Sequence, residues 1–191
     1  MRLSYQFIFI FSLSIFFIPL QVCAKAIWVL DKNLSTIKFE LPVLLLDNVE
    51  GKFIDFDGLI EIDLQDYKNN KAIFSVNIDS IEMNYKKYKN LLLGDTFFDV
   101  IKFPIALLDT RKFSFNAEKK IDLEVELTIK DITKLVPLKL EIYILADELI
   151  QIKGHLFFSR TDFQIGVEEW SSTAILRDKV SIKTNLFLVR E

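Results

Sequence analysis

Residues 121–144 place an apolar side chain at every second position: Ile121, Leu123, Val125, Leu127 and Ile129, then Val136, Leu138, Leu140, Ile142 and Ile144. A period of two belongs to the β-strand, whose side chains point alternately to opposite faces, so the segment reads as a β-hairpin with one apolar face. Asp122, Glu124, Glu126, Thr128, Lys130, Lys139 and Glu141 give the other face to water. A sheet apolar on one face has to bury that face, and this chain offers few helices to cover it. The remaining solution is a sheet closed on itself, which also removes exposed edges. A closed sheet can hold a ligand inside.

The same alternation recurs along most of the chain. Strands are expected at 27–30; at 37–44, with Ile37, Phe39, Leu41 and Val43 on one face; and at 49–56, with Val49, Gly51 and Phe53. Gly58 reads as a bend or bulge. Ile60, Ile62 and Leu64 follow, then Phe74, Val76 and Ile78 after a turn at 67–70. Residues 105–115, the hairpin, 149–158 and 180–189 complete the set. The spacing thus predicts an all-β chain of about eight strands.

Between residues 80 and 104 the period changes. Tyr85, Tyr88 and Leu92 fall at helical spacing, Lys86, Lys87 and Lys89 lie off that stripe, Asn84 can cap the start, and Gly94 can end the helix in the left-handed conformation. One short helix is expected here. Phe97 and Phe98 follow it, too apolar for a solvated loop, before Lys102-Phe103-Pro104 re-enters the sheet.

At the N-terminus, a basic start at Arg2, an apolar run over 7–18 and small residues around Ala24 and Ala26 read as a secretory signal peptide. The expected organisation is a leader over residues 1–24, cleaved after Ala24 or Ala26, and one domain over 25–191 in the periplasm. Cys23, the single cysteine, leaves with the leader, so packing rather than disulfides has to hold the domain. The formal net charge of −3 gives no basic excess of the kind that points to nucleic acid.

Five blocks, in order, carry a resemblance. Asp95, Phe97, Phe98, Asp99, Val100, Lys102, Phe103 and Pro104 resemble the signature segment of the YceI-like polyisoprenoid-binding family, D-x-F-F-D-V-x-K-F-P. Trp28, Asp31, Ser35, Ile37 and Phe39 resemble its W-x-x-D-x-x-x-S-x-I-x-F block, and Val49, Gly51, Phe53, Phe56 and Gly58 its V-x-G-x-F-x-x-F-x-G block. Thr128, Ile129, Thr133, Lys134 and Val136 are similar to T-I-x-G-x-T-K-x-V, and Arg160, Asp162, Phe163 and Ile165 to R-x-D-F-G-I. Asp131 stands where the family has Gly, Leu34 where it frequently has His, and Gln164 where it has Gly. Leu135 and Pro137 disturb the spacing after the Thr-Lys pair.

The resemblance implies an extended antiparallel lipocalin-like barrel whose apolar interior holds an isoprenoid lipid or quinone, for transport or storage. No catalytic residue, metal or cofactor is expected. Because bulky residues near the aromatic segment shape a long channel, the candidate pocket residues are Phe39, Leu41, Phe53, Phe74, Phe97, Phe98, Phe103, Leu127, Leu138 and Phe157. Lys86, Lys87 and Lys89 are candidates for contact with a head group or, transiently, a membrane surface. A homodimer is left open.

Other chemistry finds little footing. His155, the only histidine, lacks partners for a zinc site or a nucleophile–base pair. Asp95 and Asp99 read as satisfying backbone N–H groups, and Arg160 with Asp162 as an ion pair or turn lock. Two alternatives also alternate or bind isoprenoids: an outer-membrane β-barrel and, less supported, an enzyme acting on isoprenoid lipids.

Overall fold

The computed structural model describes residues 27–44, 48–64, 67–116 and 118–190. The segment expected as a leader, with its expected cleavage sites and Cys23, lies outside them. The described residues form β1 (Trp28–Leu30), β2 (Thr36–Leu41), β3 (Val49–Phe53), β4 (Phe56–Glu61), β5 (Lys71–Asn77), β6 (Ile81–Met83), β7 (Ile105–Asp109), β8 (Lys120–Ile129), β9 (Ile132–Ala146), β10 (Leu149–Ser159) and β11 (Lys179–Arg190), with helix α1 (Lys89–Leu93) between β6 and β7. Every pairing between strands is antiparallel.

Three successive pairs of pieces are bent strands. β1 pairs with β4 while β2 pairs with β3, and β4 pairs with β5 while β3 pairs with β6. Counted in this way, eight strands close one barrel. The first bend is an Asp turn: the Asp31 carboxylate accepts the Asn33 and Leu34 amides, at 2.9 and 3.1 Å, and turns the chain between β1 and β2. β11 closes the ring, pairing with β10 over its full length and dividing its other edge between β2 and β1.

Alternation sets what is inside. Val125, Leu127, Ile129, Val136, Leu138 and Ile142 are buried, as the period of two requires. Ile144 is an exception and is exposed. β8 starts at Lys120, opposite Glu141, so β9 runs past its neighbour there and Ile144 projects from the rim.

The core has two parts. Trp28, Phe56, Ile60, Phe113, Ile150 and Leu188 belong to one end, and Phe97, Val125, Leu156, Phe163, Ile165 and Val180 to the other. Leu123, Leu140 and Ile182 pack against both.

Some sequence expectations are corrected. The helix is shorter than its stripe suggested: residues 86–88 form a 3-10 turn and only Lys89–Leu93 is α-helical. Asn84 does not cap it, because its side-chain oxygen accepts the amides of Glu50 and Tyr85 at 3.1 and 3.0 Å, tying the end of β6 to β3. Gly94 is extended (φ −70°, ψ 174°) rather than left-handed. The reversal comes at Asp99 instead, with φ 49°. Gly58 makes no bulge and pairs in register with Phe74. The strand expected over 105–115 ends at Asp109, since Thr110 turns its hydroxyl to the Ala72 backbone and Arg111 takes φ 53°.

The β8–β9 turn puts Lys130 and Asp131 at φ 51° and 57°, the left-handed values a two-residue type I′ turn demands. Left-handed backbone costs an L-residue roughly 1–2 kcal/mol, less for Asp, and glycine avoids it at an entropic cost of about 0.5–1 kcal/mol. Asp131→Gly is therefore expected to raise stability by a few tenths to about 1 kcal/mol in urea unfolding.

Candidate functional site

A cavity of about 180 Å³ runs inside the barrel. A single water needs roughly 10–15 Å³, so the space is more than a packing defect. Its wall is almost wholly apolar; Thr110, Thr184 and Arg160 are its only polar contributors among the described residues. Such a cavity offers water few partners and suits an apolar ligand.

Cross-strand register explains why the lumen stays open. Phe39 lies opposite Gly51, and Phe74 opposite Gly58. A Cβ on Gly51 would lie 2.4 Å from the Phe39 ring, and one on Gly58 would lie 2.6 Å from the Phe74 ring. Each ring thus lies down on a neighbouring glycine, along the wall, instead of crossing the interior. Gly154, opposite Thr184 and Leu140, gives a third thin place on the inner face.

One barrel end is plugged by irregular backbone. Phe97 is buried and packs on Trp170 with ring centroids 5.7 Å apart, while Phe163 meets Phe158 edge-on at 5.3 Å. Phe97 and Phe98 also border the cavity. Plugging and lining are therefore one arrangement.

Irregular buried backbone leaves carbonyls that need donors. Arg160, with no exposed surface, supplies them: Nε donates to Arg177 O, one terminal nitrogen to Ile165 O and Gly166 O, and the other to Trp170 O, Ser172 O and Leu176 O, at 2.8–3.3 Å. No ion pair with Asp162 forms, so the lock acts through carbonyls. Burial pushes the guanidinium below its ordinary range, and the charge of Asp178 opposes this. Burial would raise Asp178 itself, but donors from Ser159 and Thr161 together with the Arg160 charge hold it below the usual carboxylate range. Lys130 completes the plug, its Nζ donating to Phe97 O and Gln164 O at 2.9 Å each. Burial is the main cause that lowers the Lys130 ammonium.

Of the ten pocket residues read from sequence, Phe39, Leu41, Phe53, Phe74, Phe97, Phe98, Leu127 and Leu138 line the cavity. Phe103 and Phe157 do not. Phe103 sits in the turn whose Lys102 and Phe103 amides both bond Asp99 O, before the wall begins at Ile105. Phe157 points outward, because Ile152, Gly154, Leu156 and Phe158 take the inward positions of β10. Its ring packs at a tilt against His155, centroids 4.0 Å apart, and Lys179 Nζ lies over it at 3.9 Å from the centroid. Residues not singled out from sequence, among them Val49, Val76, Leu140 and Ile182, also line the space. Small aliphatics look alike at every inward position, so only closure tells lumen from solid core.

Lys86 and Lys89 border a surface groove outside β2, β3 and β6, while Lys87 lies over Tyr88 at 4.8 Å and Lys89 bonds Asp79 O at 3.0 Å. Asp95 accepts the Thr96 amide, and Asp99 bonds Lys102 at 2.8 Å. His155 Nε2 bonds the Ser181 hydroxyl at 2.9 Å. Among the described residues no group of three or more His, Cys, Asp or Glu is placed to hold a metal, and no helix is long and apolar enough to cross a membrane. Most apolar strand residues face inward and charged residues alternate with them outside; exposed Leu59, Ile105, Leu107 and Leu135 stand among charged neighbours and do not make the continuous apolar outer band of an outer-membrane barrel.

Comparison with known proteins agrees with this architecture. The YceI-like domain family matches residues 28–188. A UPF0312 protein of Shewanella denitrificans is 25% identical over 105 residues, and one of Pseudomonas aeruginosa 30% over 104. These matches cover 55% and 54% of this chain and 55% and 53% of the relatives, so the chain spans about half the length of the curated relatives it matches. Among solved structures, Burkholderia cenocepacia BcnA superposes with a TM-score of 0.77 at 23% identity, covering 83% of this chain and 98% of that one. A polyisoprenoid-binding domain from Saccharophagus degradans gives 0.71 at 14%, covering 87% and 99%. At these identities the structural likeness establishes the fold.

The Arg160 lock makes a sharp expectation. Lysine keeps the charge but presents three donors on one nitrogen, against five on the planar guanidinium. Each buried carbonyl left without a partner costs about 1–3 kcal/mol. Arg160→Lys should lower stability by at least about 2 kcal/mol in urea unfolding, and hydrogen exchange over residues 160–176 should speed up more than in β8–β9.

Proposed function

This chain belongs to the YceI-like family, and from that footing we propose that its barrel holds the apolar chain of an isoprenoid lipid or quinone, as a carrier or store without catalysis. The observation that carries the reading is the apolar cavity inside the barrel, where the Phe39 and Phe74 rings occupy the space left by Gly51 and Gly58. A prenyl chain needs no polar partners along its length. At about 0.8 kcal/mol per buried CH₂-sized unit, ten units supply roughly 8 kcal/mol before ordering costs. The structural resemblance to a domain described as polyisoprenoid-binding supports the same ligand class.

The proposal includes export. The apolar run over 7–18 and the small residues at Ala24 and Ala26 support release into the periplasm by cleavage of the leader. Intact-mass measurement of the purified protein should show a chain beginning at Lys25 or Ile27. A mass retaining residues 1–24, or acyl chains on Cys23, refutes soluble export.

Leu127 tests the pocket. It is buried, faces inward from β8 and lines the cavity. Leu127→Trp should leave the delipidated protein near its wild-type melting temperature, because an open channel accepts an indole, while overpacking a filled core costs about 1–3 kcal/mol. Lipid extracted per mole, identified by mass spectrometry, should fall clearly. Glu124→Gln is the control, since Glu124 is exposed on the opposite face of the strand and Glu126 is held by Arg111. Comparison is made on delipidated samples because bound lipid raises apparent stability. Equal lipid in both variants overturns the placement of the ligand.

A further inference from the structure

The outer face of β9, β10, β11, β2 and β3 carries a row that ordinary sheet chemistry disfavours. In register, Lys139 faces His155, His155 faces Lys183, Lys183 faces Lys38, and Lys38 faces Lys52. Like charges directly opposite one another destabilise a sheet. Elsewhere on the same barrel opposite charges meet across strands, as in Lys120–Glu141 and Lys71–Asp109.

Edge protection by lysine does not explain the row, because β10, β11, β2 and β3 are each paired on both sides. Glu40, Glu82 and Asp122 reach Lys183, Lys52 and Lys139 at 3.4, 3.0 and 3.6 Å, all as exposed pairs worth little. Among the described residues no carboxylate reaches Lys38.

We propose that this face docks the protein on an anionic lipid bilayer. Strands lie about 4.8 Å apart, so five positions span roughly 19 Å, too wide for one phosphate and suited to a surface of many head groups. The groove is bordered by Lys38, Lys52, Lys86, Lys89 and Lys183 against Glu40, Glu50 and Glu82, an excess of two positive charges, and it shares Phe39 and Ile81 with the apolar cavity, so β2 and β6 form part of the partition between the two. The choice of a bilayer over another polyanion rests on the lipid-holding reading of that cavity, whose contents have to come from a membrane.

His155 sits inside the row and is the chain's only histidine. Burial first, then the charges of Lys183 and Lys179, with a smaller contribution from Lys139, hold its imidazole below the ordinary range against the opposing charge of Glu40. Anionic head groups arriving at the lysines favour the protonated ring, so docking raises its pKa. That makes one NMR resonance a reporter of the surface.

The test uses the full purified chain, delipidated. Wild type should co-sediment with vesicles of mixed phosphatidylglycerol and phosphatidylcholine, weakly or not at all with phosphatidylcholine alone, and less as salt rises. Replacing Lys38, Lys52 and Lys183 with Gln should weaken binding tenfold or more, whereas Gln at Lys112, Lys119 and Lys134, the same charge change elsewhere, should leave it near wild type. The His155 resonance should titrate at higher pH with phosphatidylglycerol bicelles than without. The K38Q/K52Q/K183Q protein should melt at or above wild type, having lost repulsion, which separates lost docking from lost folding. Equal vesicle binding by that variant and wild type overturns the proposal. So does wild type that ignores phosphatidylglycerol but binds polyglutamate or DNA through the same lysines. Lipid extracted per mole is measured alongside. A wild type that docks but carries no lipid overturns the cavity reading and leaves docking standing, whereas a lipid-loaded protein that does not dock does the reverse.

Discussion

The last strand holds the barrel together. β11 pairs residue by residue with β10 on one edge, and its other edge is divided between β2 and β1, so the two ends of the described chain meet in one hydrogen-bonded wall. A sheet apolar on one face is stable only when that face is enclosed, and this closure encloses it without a covering layer of helices. Eight strands give about the smallest ring with room for a ligand as well as side chains. That room survives here because Phe39 and Phe74 rest on Gly51 and Gly58.

The barrel ends follow different physics. Around Trp28, Phe56, Ile150 and Leu188 apolar side chains fill the lumen. At the opposite end the fill is backbone, and the carbonyls of Ile165, Gly166, Trp170, Ser172, Leu176 and Arg177 take their side-chain donors from Arg160. A guanidinium is suited to this position because its five donors lie in one plane and diverge. Lys130 does the same for Phe97 and Gln164 from the β8–β9 turn. Buried Arg160 and half-buried Lys130 thus hold the plug through its carbonyls, and the Lys130 bond to Phe97 O joins the stability of the plug to the cavity border that Phe97 forms.

Much of this was legible before any coordinates. The alternation from Ile121 to Ile142 named the inward face, and Leu127 and Leu138 fall where it placed them. The strand count and the short helix between residues 80 and 104 also agree with the structure. Phe157 was misread by weighting size over position: its neighbours Leu156 and Phe158 already occupied the inward places. Phe103 was misread for a different reason. The left-handed turn at Asp99 carries it outside the wall, and nothing in the local pattern distinguishes that Asp from an ordinary loop residue. For Arg160, the local sequence offered Asp162 as partner, whereas the groups it serves extend to Arg177.

Period, turn residues and apolar content are local properties, and they determined that this chain makes half-buried antiparallel strands that have to close. Which inward residues border empty space, which glycine lies under which ring, and which lysines face one another across five strands were decided only by the tertiary structure. Register joins residues far apart in the chain, such as Lys38 and Lys183, and side-chain volumes fill a lumen only once the ring is complete. A sequence specifies each strand's two faces; the free space between strands is a property of all of them together.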